Sequence, residues 1–168
     1  PKVASVTAAA GFGEDDVLRL AASLERGSEH PLAAAILSAA GARGLSLAAV
    51  AGFKSITGKG VMGSIEGRRV ALGNEALMND LEIDATSLRA QADAARAGAQ
   101  TVMFLVVDGE VAGFVGAADP IKASTREALT QLRGAGLRVV MLTGDSRATA
   151  SAVARSLGFA DADVIAEV

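Results

Sequence analysis

Two dipeptides constrain this chain more than any other feature: Glu66-Gly67 and Asp108-Gly109, each set between two short apolar runs. An acidic residue followed by glycine suits the two-residue turn whose backbone twist matches a pair of antiparallel strands. The first dipeptide joins residues 61–65 to 68–72, and the second joins 101–107 to 110–117. A further strand signal over 50–56 runs into Thr57-Gly58-Lys59-Gly60. Residues 2–6 alternate weakly and are expected to form a short extended segment.

Between these strands the apolar spacing turns helical. Val17, Leu20, Ala21 and Leu24 fall at i, i+3, i+4 and i+7. Gly27-Ser28 interrupts that run, and Ser28 is expected to cap a second helix whose apolar face is Leu32, Ala35, Ile36 and Ala39. Pro31 falls in its first turn, where a missing N–H costs nothing. Two more helical stretches are expected at 75–81 and 86–97. An antiparallel sheet carrying helices is an α+β domain.

The pattern changes at Ala118-Asp119-Pro120. A helix is expected over 124–132, an unbroken apolar strand over 137–142, a helix over 147–157 and the start of a strand at 164–166. A continuous apolar strand between helices signals a parallel sheet covered on both faces. The expected organisation is an incoming hinge segment at 1–10, an α+β domain at 11–117 and a partial α/β unit at 118–168.

Composition removes several functions. The formal charge of -3 gives no basic face for nucleic acid or an anionic membrane surface. The absence of cysteine excludes disulfides, Cys-type zinc sites and a cysteine nucleophile. The longest apolar runs are strand-sized, far below the ~20 residues of a membrane helix. Pro-Lys-Val at the start carries no signal-peptide pattern, and it reads as a cut made inside a longer protein.

Several residues can carry chemistry. His30 is the single histidine and sits at a helix start, where orphan N–H groups disfavour imidazolium. A neutral flat ring there can stack on a purine or donate a hydrogen bond; it can equally be a surface capping residue. Glu25 ends the preceding helix, and the Gly27-Ser28 break could turn both side chains into one pocket. The glycine-rich turn from Thr57 to Gly63 lets a ligand approach the backbone, or is an ordinary turn. It is not a Walker loop, because no Lys-Ser/Thr pair and helix follow. Asn74, after Gly73, is placed as an N-cap. Thr143-Gly144-Asp145-Ser146 follows the apolar strand and opens a helix, which suits a phosphoryl group or a plain cap.

The order of these features is what becomes specific. Ser-Glu-His-Pro-Leu-Ala, Thr-Gly-Lys-Gly-Val, Gly-Asn, Ala-Asp-Pro-Ile-Lys and Met-Leu-Thr-Gly-Asp-Ser together resemble the heavy-metal (type 1B) P-type ATPases over essentially the whole chain. The Ser-Glu-His-Pro-Leu form looks most like the copper(I) branch, and zinc or cadmium exporters carry a similar His-Pro pair. The resemblance implies a nucleotide pocket at Glu25, His30, Gly58, Gly60, Val61, Gly73 and Asn74, with His30 orienting adenine. It also implies a phosphoryl-site loop at Thr143, Gly144 and Asp145, and a return hinge at Asp119. By fold such proteins are haloacid-dehalogenase-like, with the nucleotide domain inserted as a cap.

The implied ligands are ATP and, with it, Mg2+. The implied partners are the transmembrane and actuator domains and the rest of the phosphorylation domain of a parent ATPase. The chain would then be a cytoplasmic portion of an integral membrane protein. The family's phosphorylated aspartate motif would lie before Pro1 and its Gly-Asp-Gly-Ile-Asn-Asp magnesium site beyond Val168. The chain alone is therefore expected to bind ATP without turning over. The competing readings are a haloacid-dehalogenase-type phosphatase using Thr143, for which residues 2–6 offer no Asp-x-Asp, and a non-enzymatic interaction module.

Overall fold

A computed structural model of the chain describes residues 1–144 and 147–168. Both acidic-Gly dipeptides make the expected turns. Glu66 and Gly67 have φ of 52° and 80°, and Asp108 and Gly109 have 52° and 91°, the positive values a tight hairpin of this hand requires. The first turn joins β3 (Gly60–Ile65) to β4 (Arg68–Gly73), and the second joins β5 (Thr101–Val107) to β6 (Glu110–Ala118). The Asp108 carboxylate accepts from Arg68 Nε at 2.9 Å and from the Arg69 backbone N–H at 2.8 Å. The Arg68 hydrogen bond, then that of Arg69, holds its pKa below the usual 3.8.

The remaining strands complete one antiparallel sheet. With β1 (Lys2–Ala8) and β2 (Val50–Ile56) the order is β1-β6-β5-β4-β3-β2. The extended segment expected over 2–6 is longer than its alternation suggests, and it pairs along β6 from Lys2 opposite Ala118 to Ala8 opposite Gly113. Side chains alternate across the sheet, so each face has its own core. Leu72, Leu105 and Val107 pack under α1 (Glu14–Glu25) and α2 (Pro31–Ala42). Ala71, Phe104, Val106 and Phe114 pack under α3 (Glu75–Asp80) and α4 (Arg89–Ala97). The acidic first turn of α1, Glu14 to Asp16, complements its N-terminal dipole, while Val17, Leu18 and Leu24 are fully buried.

One cap differs from expectation. His30, not Ser28, is the N-cap of α2, and its Nδ1 accepts the Leu32 N–H at 3.2 Å. The Ser28 hydroxyl instead accepts the His30 N–H at 3.3 Å, closing a local turn before the helix. Pro31 occupies the first helical position, so the cap must lie one residue before it.

Beyond Ala118 lie α5 (Ala123–Gly134), β7 (Met141–Leu142), α6 (Arg147–Ser156) and β8 (Val164–Ile165). The two strands are parallel, as the apolar pattern predicts. The unbroken strand expected over 137–142 is not formed: only Met141 and Leu142 are extended in a ladder, and Leu137, Val140 and Leu142 are exposed. A parallel strand buried on both faces needs neighbours on both edges, and among the described residues β7 has only β8. The exposed large apolar side chains of the described structure, Ile121, Leu132, Leu137, Val140, Leu142, Ile165 and Val168, all lie in this final part.

Candidate functional site

A cavity of about 300 Å³ opens where the ends of α1 and α2 meet the loop between β2 and β3. Glu25, Ser28 and His30 line it from the helical break, and Thr57 to Val61 line it from the glycine loop. Asn74 joins them from the start of α3. Of the seven residues expected to form a nucleotide pocket, six thus border a single cavity. The seventh, Gly73, pairs directly with Gly60 across the β3–β4 ladder.

The break between the helices explains how Glu25 and His30 converge. The Gly27 N–H is bonded to Leu24 O and the Ser28 N–H to Glu25 O, so the chain turns tightly before α2 begins. Because His30 Nδ1 accepts the Leu32 N–H, the ring's proton belongs on Nε2, which is left to donate. Glu25 is only 3% exposed, and its Oε2 has no hydrogen-bond partner. Burial raises its pKa above the ordinary 4.5, against smaller lowering effects from the Ser28 hydroxyl and His30. A buried carboxylate oxygen without a donor is costly, and native proteins leave few such groups without a water, an ion or a functional role to account for them.

This cost has a measurable sign. Since the folded-state pKa is raised, the folded protein holds the proton more tightly than the unfolded one, and the carboxylate's penalty appears as pH rises from about 4.5. Replacing Glu25 with Met removes an unsatisfied buried group worth about 1–3 kcal/mol. The Glu25→Met chain is therefore expected to melt higher than wild type near neutral pH, with the gain shrinking on acidification. Thermal unfolding between pH 4 and 8 checks this; a lower melting temperature at pH 7.5 would show that Glu25 stabilises the fold instead.

The glycine loop is held from both sides. Asn74 caps α3, its Oδ1 accepting from Leu77 N–H at 3.2 Å, while its Nδ2 donates to Gly58 O at 2.8 Å. Its backbone N–H donates to Lys59 O at 2.9 Å. Asn74 is thus both the expected cap and a clamp on the loop. Gly58 has open space where a side chain would stand, whereas Gly60 does not. Sequence reasoning did not reach Ser28, Lys59, Thr101 and Met103 as lining residues. Lys59 lay inside a quoted motif; Thr101 and Met103 arrive on β5 by sheet register, for which no local signal exists.

The second expected site lies elsewhere. The Thr143 N–H donates to Ile165 O at 3.0 Å, which ties the end of β7 to β8. Gly144 is exposed and borders a separate cavity of about 410 Å³ with Arg96, Gln100 and Thr149. The two cavities share Asn74 and Thr101 among their linings. Asp145 lies outside the described residues. Asp119 stands exposed just past β6 and borders neither cavity.

Comparison with known proteins gives the family of the chain. The family model described as a haloacid dehalogenase-like hydrolase matches residues 1–168. The chain is 50% identical over 99% of its length to a copper-transporting P-type ATPase of Rhizobium leguminosarum bv. viciae, covering 20% of that protein. It is 44% identical over 94% of its length to a silver exporting P-type ATPase of Salmonella typhimurium, covering 19% of it. It therefore spans about one fifth of the length of these relatives. Among solved structures, a zinc-transporting PIB-type ATPase in an E2.Pi state superposes over 99% of the chain and 26% of its own, with TM-score 0.79 and 28% identity. The N-domain of a copper-transporting P-type ATPase superposes over 70% of the chain and all of its own, with TM-score 0.60 and 28% identity. The chain belongs to the haloacid dehalogenase-like hydrolase family, and within it the likeness is to the heavy-metal P-type ATPases.

Proposed function

We propose that this chain is the ATP-binding portion of a heavy-metal P-type ATPase, with residues 11–117 holding the nucleotide and 118–168 forming part of the phosphorylation domain. The observation that carries the reading is the unpartnered Glu25 Oε2, buried in a cavity that also holds the His30 ring and the clamped glycine loop. Adenine offers an exocyclic amino group that a carboxylate can accept from, and a flat face on which an imidazole stacks. Guanine presents a carbonyl at the same position, and two acceptors facing each other repel. ATP is therefore favoured over GTP.

Mg2+ fits this scheme as a companion of the triphosphate. Among the described residues no group of three His, Cys, Asp or Glu side chains could hold a metal ion, so the phosphate oxygens would carry it. Thr143, Gly144 and Asp145 are assigned to the phosphoryl-site loop and Asp119 to the hinge. The exposed apolar set from Ile121 to Val168 is the surface on which the rest of the phosphorylation domain would lie. None of the helices is long and apolar enough to cross a membrane among the described residues. Transmembrane and actuator parts of a longer protein would perform transport, with this portion on the cytoplasmic side. The cargo we assign is copper(I), a soft monovalent ion like the silver named for one relative.

Titration calorimetry tests the binding. His30→Ala is expected to weaken ATP binding by about 1–3 kcal/mol, the range for aromatic stacking on a base, or roughly five- to 150-fold in affinity. GTP should bind more weakly than ATP to wild type. Unchanged ATP affinity in His30→Ala, or no ATP binding at all, would overturn the assignment.

A further inference from the structure

Lys59 stands between the two glycines of the loop, and its backbone is fixed on both sides. Its N–H donates to Ile56 O at 3.0 Å and its carbonyl accepts the Asn74 N–H at 2.9 Å. Its Nζ meets Asp80 Oδ2 at 2.5 Å, and both side chains are substantially exposed, at 37% and 49%. Among the described residues lining the cavity, Lys59 is the one lysine or arginine.

The partner it has is a weak one. Exposed ion pairs contribute little net stability because water screens them and two long side chains must be held still. Asp80 is also the last residue of α3, where a carboxylate meets the negative end of the peptide dipoles. A ligand bearing several negative charges can therefore compete for the ammonium at small cost. The same cavity also carries the Glu25 carboxylate, which repels phosphate, so a nucleotide's charged tail is drawn to Lys59 and away from Glu25.

We propose that Lys59 reads the phosphate tail of the nucleotide, and that Asp80 holds its ammonium in reserve until the tail displaces the carboxylate. This rests on the reading of the cavity as an adenine-nucleotide site and adds what distinguishes ATP from adenosine within it. Asp80 is a positioning residue: it acts through Lys59. Its ion pair makes binding depend on the charge of the tail, because a neutral nucleoside gains nothing by breaking it.

The test is calorimetry on the 168-residue chain with adenosine, AMP and ATP, at low and high salt. Lys59→Met is expected to weaken ATP about tenfold, the loss of one charge-assisted hydrogen bond, and to leave adenosine unchanged. Asp80→Asn frees the ammonium and is expected to strengthen ATP about threefold, the scale of an exposed ion pair. The salt dependence of ATP affinity should diminish in Lys59→Met. If adenosine binds wild type but the ratio of ATP to adenosine affinity is the same in all three proteins, Lys59 does not read the tail. If Lys59→Met loses adenosine as well, Asp80→Asn decides, since it keeps the loop intact: a raised ratio supports the proposal and an unchanged one overturns it. Failure of wild type to bind either adenosine or ATP removes the nucleotide reading itself, and the Lys59 proposal with it.

Discussion

The amides of Phe104 to Val107 are expected to exchange with solvent at least about a thousandfold more slowly than that of Leu142, because only the former need global unfolding to open. All four residues lie on β5, paired with β4 on one edge and β6 on the other, and all are buried. Leu142 lies on a two-residue strand with a single parallel neighbour and is 66% exposed. Its ladder is closed by a few bonds near the chain surface, such as the one from Thr143 N–H to Ile165 O. The helices beside it contribute little cover: Leu129 is the one buried residue of α5, and α6 buries Thr149, Ala150 and Ala154. Opening this part therefore exposes little new apolar surface and costs little. Hydrogen exchange followed by mass spectrometry or NMR resolves the two segments directly. Equal and strong protection of both, in a chain shown to be monomeric, would mean that the short parallel pair is stabilised by contacts beyond those described here.

The contrast between these two segments also marks what could be read from the sequence. The hairpins were legible because a turn is local: Glu66-Gly67 and Asp108-Gly109 state their conformation in two residues. The α1 face was legible because its apolar spacing repeats within one helix. The 137–142 stretch misled because apolarity reports what a segment would bury if covered, not whether a cover is present. β1 was only partly visible, since its partner β6 lies more than a hundred residues away. The cap of α2 went to His30 and not to Ser28, although the Pro31 position carried that information.

The candidate site was legible to a similar degree and for the same reason. Glu25, His30, the glycine loop and Asn74 stood in quoted motifs, and the structure places them around one cavity. The depth of Glu25 could not be read, because residues that share its cavity, such as Val61 and Met103, lie on strands far away in sequence. The Lys59–Asp80 pair was hidden likewise: it joins a loop to the end of a helix 21 residues on. Local chemistry shows in a sequence; the partner of a side chain mostly does not.

Replacing Gly60 by alanine is expected to destabilise the chain by about 3 kcal/mol or more, the combined scale of overpacking and of a backbone conformation closed to side chains. Gly60 has φ of 151°, and a Cβ there would stand 2.1 Å from Leu72 O and 2.6 Å from Gly73 Cα. Both obstacles are backbone atoms of the paired strand β4, so no side-chain movement relieves them. The strands would have to part at the end that carries the glycine loop. That would strain the bonds from Asn74 to Gly58 O and Lys59 O, and with them the shape of the cavity. Gly58 gives the comparison that isolates the cause. Its φ of 71° is also positive, yet nothing lies within 4 Å of where its Cβ would be. Gly58→Ala is accordingly expected to cost only the left-handed backbone penalty, about 1–2 kcal/mol. Urea unfolding of the two variants beside wild type measures the difference. Equal losses would show that backbone conformation alone demands these glycines; a markedly larger loss at Gly60 would show that the close approach of β3 and β4 does.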